Sequence, residues 1–204
     1  MLSSFKSISE GSNTRSEPPL EEFVRRFLDQ KGEVHFVKSS SEAIDEINSL
    51  ISTKGRGPSC CSPTLFYGRL QDLSTKIKTT TLSFTEFQNS PREKARTLDV
   101  GITKAAWAVS ETGSLLDISY SDEERLLSSI SRVHIALLDD STILTRLRDV
   151  APKLRELLKP SYSTKPAITL IGGPSRTSDI ELKSVLGVHG PHEVHVILCQ
   201  QSRT

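Results

Sequence analysis

The chain has 204 residues, with 26 lysines and arginines against 25 aspartates and glutamates, a net charge of +1, and 35% hydrophobic residues. Near-balanced charge supplies no field to hold a nucleic-acid backbone, which argues against a nonspecific DNA or RNA binder. The length suits one globular domain, which buries roughly 70% of its unfolded surface.

Residues 1–17, within MLSSFKSISEGSNTRSEPP, are Ser-rich, lack periodicity and read as a mobile tail; 18–204 form the domain. No apolar run has signal-peptide length, and none approaches the roughly 20 residues of a membrane-spanning helix. The three cysteines, Cys60, Cys61 and Cys199, make no disulfide framework and suit a reducing compartment. The expected location is therefore the cytoplasm. Cys60 and Cys61 lack the second pair that a tetrahedral metal site needs.

Pro18 and Pro19 open a helix with Leu20, Phe23, Val24 and Phe27 on one face, stopped by Gly32. EVHFVK (33–38) reads as a strand. Ser39 and Glu42 have capping-box spacing for a helix that buries Ile44, Ile47, Leu50 and Ile51 and stops at Gly55. A loop follows over 56–63, and TLFYGRL and TTLSFTEF carry the β-branched and aromatic residues of strands. VHIALL (133–138), AITLIG (167–172) and EVHVIL (193–198) are short, consecutively apolar strands of the kind buried on both faces. A helical run, ILTRLRDVAPKLRELL, separates the first two and is kinked or restarted by Pro152. This alternation predicts one α/β domain, a mostly parallel sheet flanked by helices.

Two segments are too polar and glycine-rich to be plain connectors. GITKAAWAVSETGSLLDIS (101–119) reads as β–turn–β, with Glu111, Thr112 and Gly113 at the turn. That turn can grip a ligand hydroxyl or present Glu111 as a general base, or it can be a hairpin turn and nothing more. GGPSRTSDIELKSVLGVHGP (172–191) begins with Gly172 and Gly173 at a strand's carboxyl end. Ser175 or Thr177 can cap a short helix there, with Asp179 and Glu181 in its first turn and bare amides adding anion affinity. Arg176 either meets a carboxylate or phosphate or pairs internally with Asp179 or Glu181. Neither a P-loop nor G-x-G-x-x-G is present. His189, His192 and His195 in HGPHEVH do not converge, since Pro191 breaks the segment and His192 and His195 fall on opposite strand faces. No metal is expected, and His189 reads as a loop histidine near the site.

These blocks resemble the lactate utilization protein C (LUD-domain) family. GITKAAWAVSETGSLL is similar to the family's GIT…AETGTL block, and IGGPSRTSDIELKSVLGVHGPHEVHVIL to its SGPSRTADIE…LGVHGP…HVIL block, so that the likeness covers about residues 97–198. The chain departs from the pattern at Ala106, where the family has an acidic residue, with Trp107 beside it, at Ser114, and at His192, where the family is often basic. The resemblance implies a fold like the sugar-isomerase and CoA-transferase (NagB/RpiA/CoA transferase-like) superfamily. It further implies a subunit of a system oxidising L-lactate, or a similar 2-hydroxy acid, to pyruvate. No cofactor is expected in this chain; the iron–sulfur clusters would reside on partner proteins, in keeping with only three scattered cysteines here. On that plan Thr112, Gly113, Gly172, Gly173, Ser175, Arg176, Asp179, Glu181 and His189 line a site for a small carboxylate or other anion. The competing plan is a stand-alone enzyme like the formyltetrahydrofolate cyclo-ligases or CoA transferases, with Glu111 as base or nucleophile and the glycine loop on a phosphorylated or nucleotide ligand.

Overall fold

The computed structural model describes residues 18–61, 81–158, 166–178, 184–186 and 190–200. The expected tail 1–17 and TLFYGRL lie outside them, as do Asp179, Glu181 and His189.

Helix α1 (Pro19–Asp29) starts on a proline whose missing N–H is not needed there, and it buries Phe23 and Phe27. Gly32 beyond it allows the turn to close, because a Cβ there would stand 2.1 Å from the Phe27 ring. Strand β1 (Glu33–Val37) follows. Helix α2 (Ser40–Lys54) is capped as expected, Ser39 Oγ accepting from Glu42 N–H, and Gly55 is its C-cap. Next come β2 (Ser59–Cys61), β3 (Thr81–Leu82), α3 (Phe84–Asn89), α4 (Pro91–Ala95) and β4 (Val100–Val109). TTLSFTEF is thus divided: Thr81 and Leu82 are strand as expected, but from Phe84 the chain is helix, because Ser83 and Glu86 form a reciprocal capping box whose cap bonds outweigh the β preference of Phe and Thr.

The main sheet runs β1–β11–β6–β4–β2–β3, all parallel, where β6 is Val133–Asp139 and β11 is Glu193–Cys199. At Ala106 the register of β4 slips, a bulge that bends the strand out of the parallel ladder. Beyond it, β4 pairs antiparallel with β5 (Ser114–Ser119), which pairs antiparallel with β8 (Ala167–Ile171), while β7 (Ile143–Leu144) lies parallel to β4. The three strands read as doubly buried are all present. β6 and β11 are buried nearly throughout, whereas β8 on the antiparallel flank is half-covered.

α2 covers one sheet face through Ile47, Leu50 and Ile51 against Val133, Ile135, Leu137 and Ile197. α1 covers the other through Phe23 and Phe27 against Ala136, Leu138, Val194, Val196 and Leu198. Helix α5 (Asp122–Ile130) packs on β4 with Leu127 fully buried, and its neighbours there include Cys60, Phe87 and Leu98. The run from Ile143, expected as helix kinked or restarted by Pro152, divides earlier than that. Ile143 and Leu144 pair with β4, and helix α6 (Val150–Leu157) begins late enough that Pro152 falls in its first turn, where no N–H is required.

Candidate functional site

The turn after β4 is a short 3-10 segment, Ser110–Thr112, closed by Gly113 in the left-handed conformation at φ 61°. Gly172 follows β8, and Gly173 sits at φ 126°. These two glycine-bearing segments meet on one side chain. Gln30, the C-cap of α1, donates through Nε2 to Thr112 O at 2.9 Å and to Gly113 O at 3.2 Å. A Cβ on Gly172 would stand 2.4 Å from Gln30 Oε1, and one on Gly173 would stand 2.7 Å from Gln30 O. Glycine is required at both Gly113 and Gly173 by the sign of φ and by closeness to α1.

The segment from Gly172 to Pro191 leaves and returns at one place. Ser175 N–H donates to Pro191 O at 2.9 Å, and a Cβ on Gly190 would stand 3.0 Å from that of Ser175. Within the lobe, β9 (Arg176–Ser178) and β10 (Ser184–Leu186) pair antiparallel. Where a short helix was expected to start after Ser175, Arg176–Ser178 is instead the first arm of a β-ribbon, and among the described residues of the lobe there is no helix N-terminus; residues 179–183, which would carry its first turn, lie outside them. The closely tied ends favour a ribbon that turns back on itself over a helix that carries the chain away. The neck is fixed to the main sheet, for His192 and Glu193 N–H both donate to Arg132 O, at the amino end of β6. The Arg132 side chain grips Asp99 at 2.7 Å and also bonds Lys54 O.

Beside the neck, the second residue of β6 is His134, fully buried. Its Nε2 is 2.9 Å from Thr103 Oγ1, and its Nδ1 has no hydrogen-bond partner among the described residues. Burial holds its pKa down at about 3, with His195 adding to the effect, so the imidazole is neutral at physiological pH. On β5, Asp117 and Ser119 alternate with Leu116 and share the face of Leu115, which packs under α1 as Ala136 and Leu138 of β6 do. Asp117 Oδ2 and Ser119 Oγ likewise have no partner among the described residues. Desolvation raises the Asp117 carboxyl to about 6, opposed by a hydrogen bond from Ser128 and reinforced by Glu124. This face of the sheet thus holds buried, incompletely satisfied polar groups: His134 beside the neck, and Asp117, near Ser128 and Glu124 of α5, whose raised carboxyl can exchange a proton near pH 6.

A buried carboxyl with a raised pKa is protonated more readily in the fold than in the unfolded chain. Its contribution is favourable at low pH and is lost as pH rises through about 6. Asp117→Asn is therefore expected to stabilise the protein by roughly 1–3 kcal/mol at pH 8 and by much less at pH 4.5. Urea melts at the two pH values check this; an equal change at both would show that ionisation of Asp117 is not what the fold resists.

Glu111 is exposed, and its carboxylate accepts from Leu147 N–H at 2.8 Å, while its own N–H donates to Thr145 O. It braces the segment after β7. Thr112, Gly113, Gly172, Gly173 and Ser175 do come together about Gln30 and the neck; the Arg176 backbone is on the ribbon, and its side chain lies outside what is described. Trp107 packs with Val109, Leu116 and Val150 under α6, on the opposite side of β5 from Asp117. The residues that sequence reasoning missed are Gln30, His134 and Asp117. Gln30 reads as an ordinary helix end, but a histidine and an aspartate inside the apolar runs of β6 and β5 were signals that could have been used. Cys60 and Cys61 are buried, and desolvation pushes both thiols to about 12, so neither is a ready nucleophile.

Comparison with known proteins bears on the same elements. The LUD domain model matches residues 20–199. The chain belongs to the LUD domain family. Curated relatives include Lactate utilization protein C of Exiguobacterium sp., 30% identical over 130 residues, or 62% of this chain and 56% of that one. Lactate utilization protein C of Bacillus subtilis is 32% identical over 106 residues, covering 52% and 44% of the two chains. The uncharacterized protein YkgG of Escherichia coli is 36% identical over 98 residues, covering 48% and 42%. The chain spans about half the length of these relatives. Among solved structures, a DUF162 family protein from Deinococcus radiodurans superposes with a TM-score of 0.60 at 23% identity, over 89% of this chain and 96% of that one. That likeness carries the LUD-domain fold: a mixed α/β domain with a mostly parallel sheet flanked by helices. Among the described residues, no helix is long and apolar enough to cross a membrane.

Proposed function

We propose that this LUD-domain chain serves lactate utilization as a subunit without a cluster of its own, binding a small carboxylate such as L-lactate or pyruvate beside the neck of the Gly172–Pro191 lobe. The observation that carries the reading is the convergence of Thr112–Gly113 and Gly172–Gly173 on Gln30, next to a lobe whose ends are tied together. Those are the segments in which the chain resembles the lactate utilization proteins. In this reading Arg176, the first residue of the ribbon, supplies a two-pronged guanidinium for the carboxylate. Asp117 supplies a carboxyl able to take or give a proton. With three cysteines in all, the chain falls short of the four thiolates of an iron–sulfur cluster, so electrons from 2-hydroxy-acid oxidation would pass to iron–sulfur partner proteins.

Arg176→Ala is expected to abolish lactate-dependent growth while shifting Tm by less than about 2 °C, and Arg176→Lys to restore growth only in part, since a point charge cannot reproduce a bidentate contact. Growth and melting are read on the same variants. A variant that melts several degrees lower and recovers full function on cooling would make Arg176 a structural strut instead. Nucleotide-dependent turnover by the isolated chain would favour the cyclo-ligase or CoA-transferase plan.

A further inference from the structure

Strands β1 and β11 carry the same tripeptide, Glu33-Val34-His35 and Glu193-Val194-His195, and they pair in parallel with Glu33 opposite His195. The two-residue stagger brings His35 Nε2 to 3.1 Å from His195 Nδ1, and Glu33 Oε2 to 3.5 Å from that same Nδ1. One donor atom from each of Glu33, His35 and His195 lies within 4.8 Å of the others. Glu33 is half-exposed, His35 partly covered and His195 fully buried, so the cluster opens to solvent on the Glu33 side.

Of the two far nitrogens, one is held as well. His35 Nδ1 is 2.8 Å from Glu46 Oε1, on α2. His195 Nε2 has no hydrogen-bond partner among the described residues and faces Glu193 Oε2 at 3.5 Å. Lys54 Nζ holds Glu193 at 2.8 Å and the other oxygen of Glu33 at 3.6 Å, and Arg132 approaches Glu193 at 3.5 Å.

A carboxylate can only accept, so His35 Nδ1 must carry the proton shared with Glu46, and a neutral His35 turns a bare Nε2 towards His195. If His195 donates from Nδ1, its Nε2 lone pair points at the Glu193 carboxylate. If it donates from Nε2, two lone pairs face each other across 3.1 Å. A neutral pair leaves one contact repulsive in either tautomer. A cation between the two nitrogens removes the conflict, and Glu33 adds a negative oxygen to the same point. Donors about 2.0–2.1 Å from a tetrahedral ion are about 3.3 Å apart, a value that falls between the 3.1 Å and 3.5 Å of the two contacts to His195 Nδ1.

We propose that Glu33, His35 and His195 form a binding site for a divalent transition-metal ion of the zinc class. His35 Nε2, His195 Nδ1 and a Glu33 oxygen are the ligands, and a fourth position is open to water. Two imidazoles and a carboxylate with a free position are a donor set of catalytic rather than structural zinc. Glu46 orients the His35 ring through its far nitrogen, as the outer shell of a histidine–metal site does, and the Glu193 carboxylate stands 3.5 Å from the far nitrogen of His195. The site lies at the β1–β11 edge, on the α2 face of the sheet, apart from the Gly172–Pro191 lobe. It was not legible within HGPHEVH because the partner of His195 is neither His189 nor His192 but a residue near the other end of the chain.

The test is titration of the metal-free full chain with zinc by calorimetry, and with cobalt, whose ligand-field spectrum reports donor type and geometry. One ion per chain is expected, with a four-coordinate nitrogen and oxygen spectrum. Glu33→Gln, an exposed change unlike any at buried His195, should weaken binding at least about tenfold, and Glu46→Gln about 10–100-fold, with the fold intact by circular dichroism. No saturable binding, a spectrum with thiolate bands, or binding indifferent to both variants would overturn the proposal. In that case a single proton would bridge His35 and His195.

Discussion

Gly101→Ala is expected to leave most of the chain unfolded or insoluble. Gly101 is on β4, paired with His134 of β6. A methyl group there would stand 2.0 Å from Leu127 O, 2.8 Å from Leu127 C and 2.9 Å from Ser131 Oγ. The obstacle is helix backbone, so relief requires moving α5 off β4. Moving α5 breaks the fully buried packing of Leu127 with Cys60 and Phe87. Overpacking alone costs about 1–3 kcal/mol and sometimes more; with the displaced helix the loss should exceed about 3 kcal/mol, a large part of the 5–15 kcal/mol that typically holds a domain together. Soluble yield and urea midpoints decide it. A variant within about 0.5 kcal/mol of the parent would mean that α5 slides on the sheet at little cost.

The second large effect is in acid. His134 titrates at about 3 in the fold against an ordinary 6.5, so below 6.5 the unfolded chain takes up a proton that the native imidazole refuses. Its stabilising contribution is complete above pH 6.5 and shrinks as pH falls towards 3. Between pH 7 and pH 4.5 this one group should cost about 2–3 kcal/mol. His134→Gln, which keeps a polar group near Thr103, should be less stable at pH 7 and should lose that much of the acid slope. Denaturant melts at half-unit steps of pH measure both; an unchanged slope in the variant would place the acid sensitivity elsewhere.

These predictions turn on residues that were hard to value from sequence. The strands at 133–138 and 193–198 were readable because a short, unbroken apolar run between turns suits a strand covered on both faces and little else. The Ser39–Glu42 cap and the turn at Glu111–Gly113 were readable because both are local. The same apolar context made His134 look like one more strand position, although a fully buried imidazole with a single partner is costly unless something else uses it. Gln30 was invisible for a different reason: its bond to Thr112 spans 82 positions, and nothing near either residue reports it. His35 and His195 are 160 positions apart, yet the repeated Glu-Val-His was a usable signal once two parallel neighbouring strands were suspected. The misread elements, the helix at Phe84–Asn89 and the ribbon inside the glycine lobe, are short segments whose type is decided by a cap or by the closure of a loop rather than by periodicity.

Whether the turn and the glycine lobe work as one site can be read directly from backbone amides. L-lactate, and separately pyruvate, is titrated into uniformly nitrogen-15-labelled chain while the resonances of Gly113, Gly172, Gly173 and Ser175 are followed. These residues come from two distant segments joined through Gln30. The expected result is that with at least one of the two acids all four amides shift along a single saturation curve, and that Arg176→Ala weakens that curve at least about tenfold. Shifts confined to one segment, separate curves for the two, or no saturable shift with either acid would contradict the account.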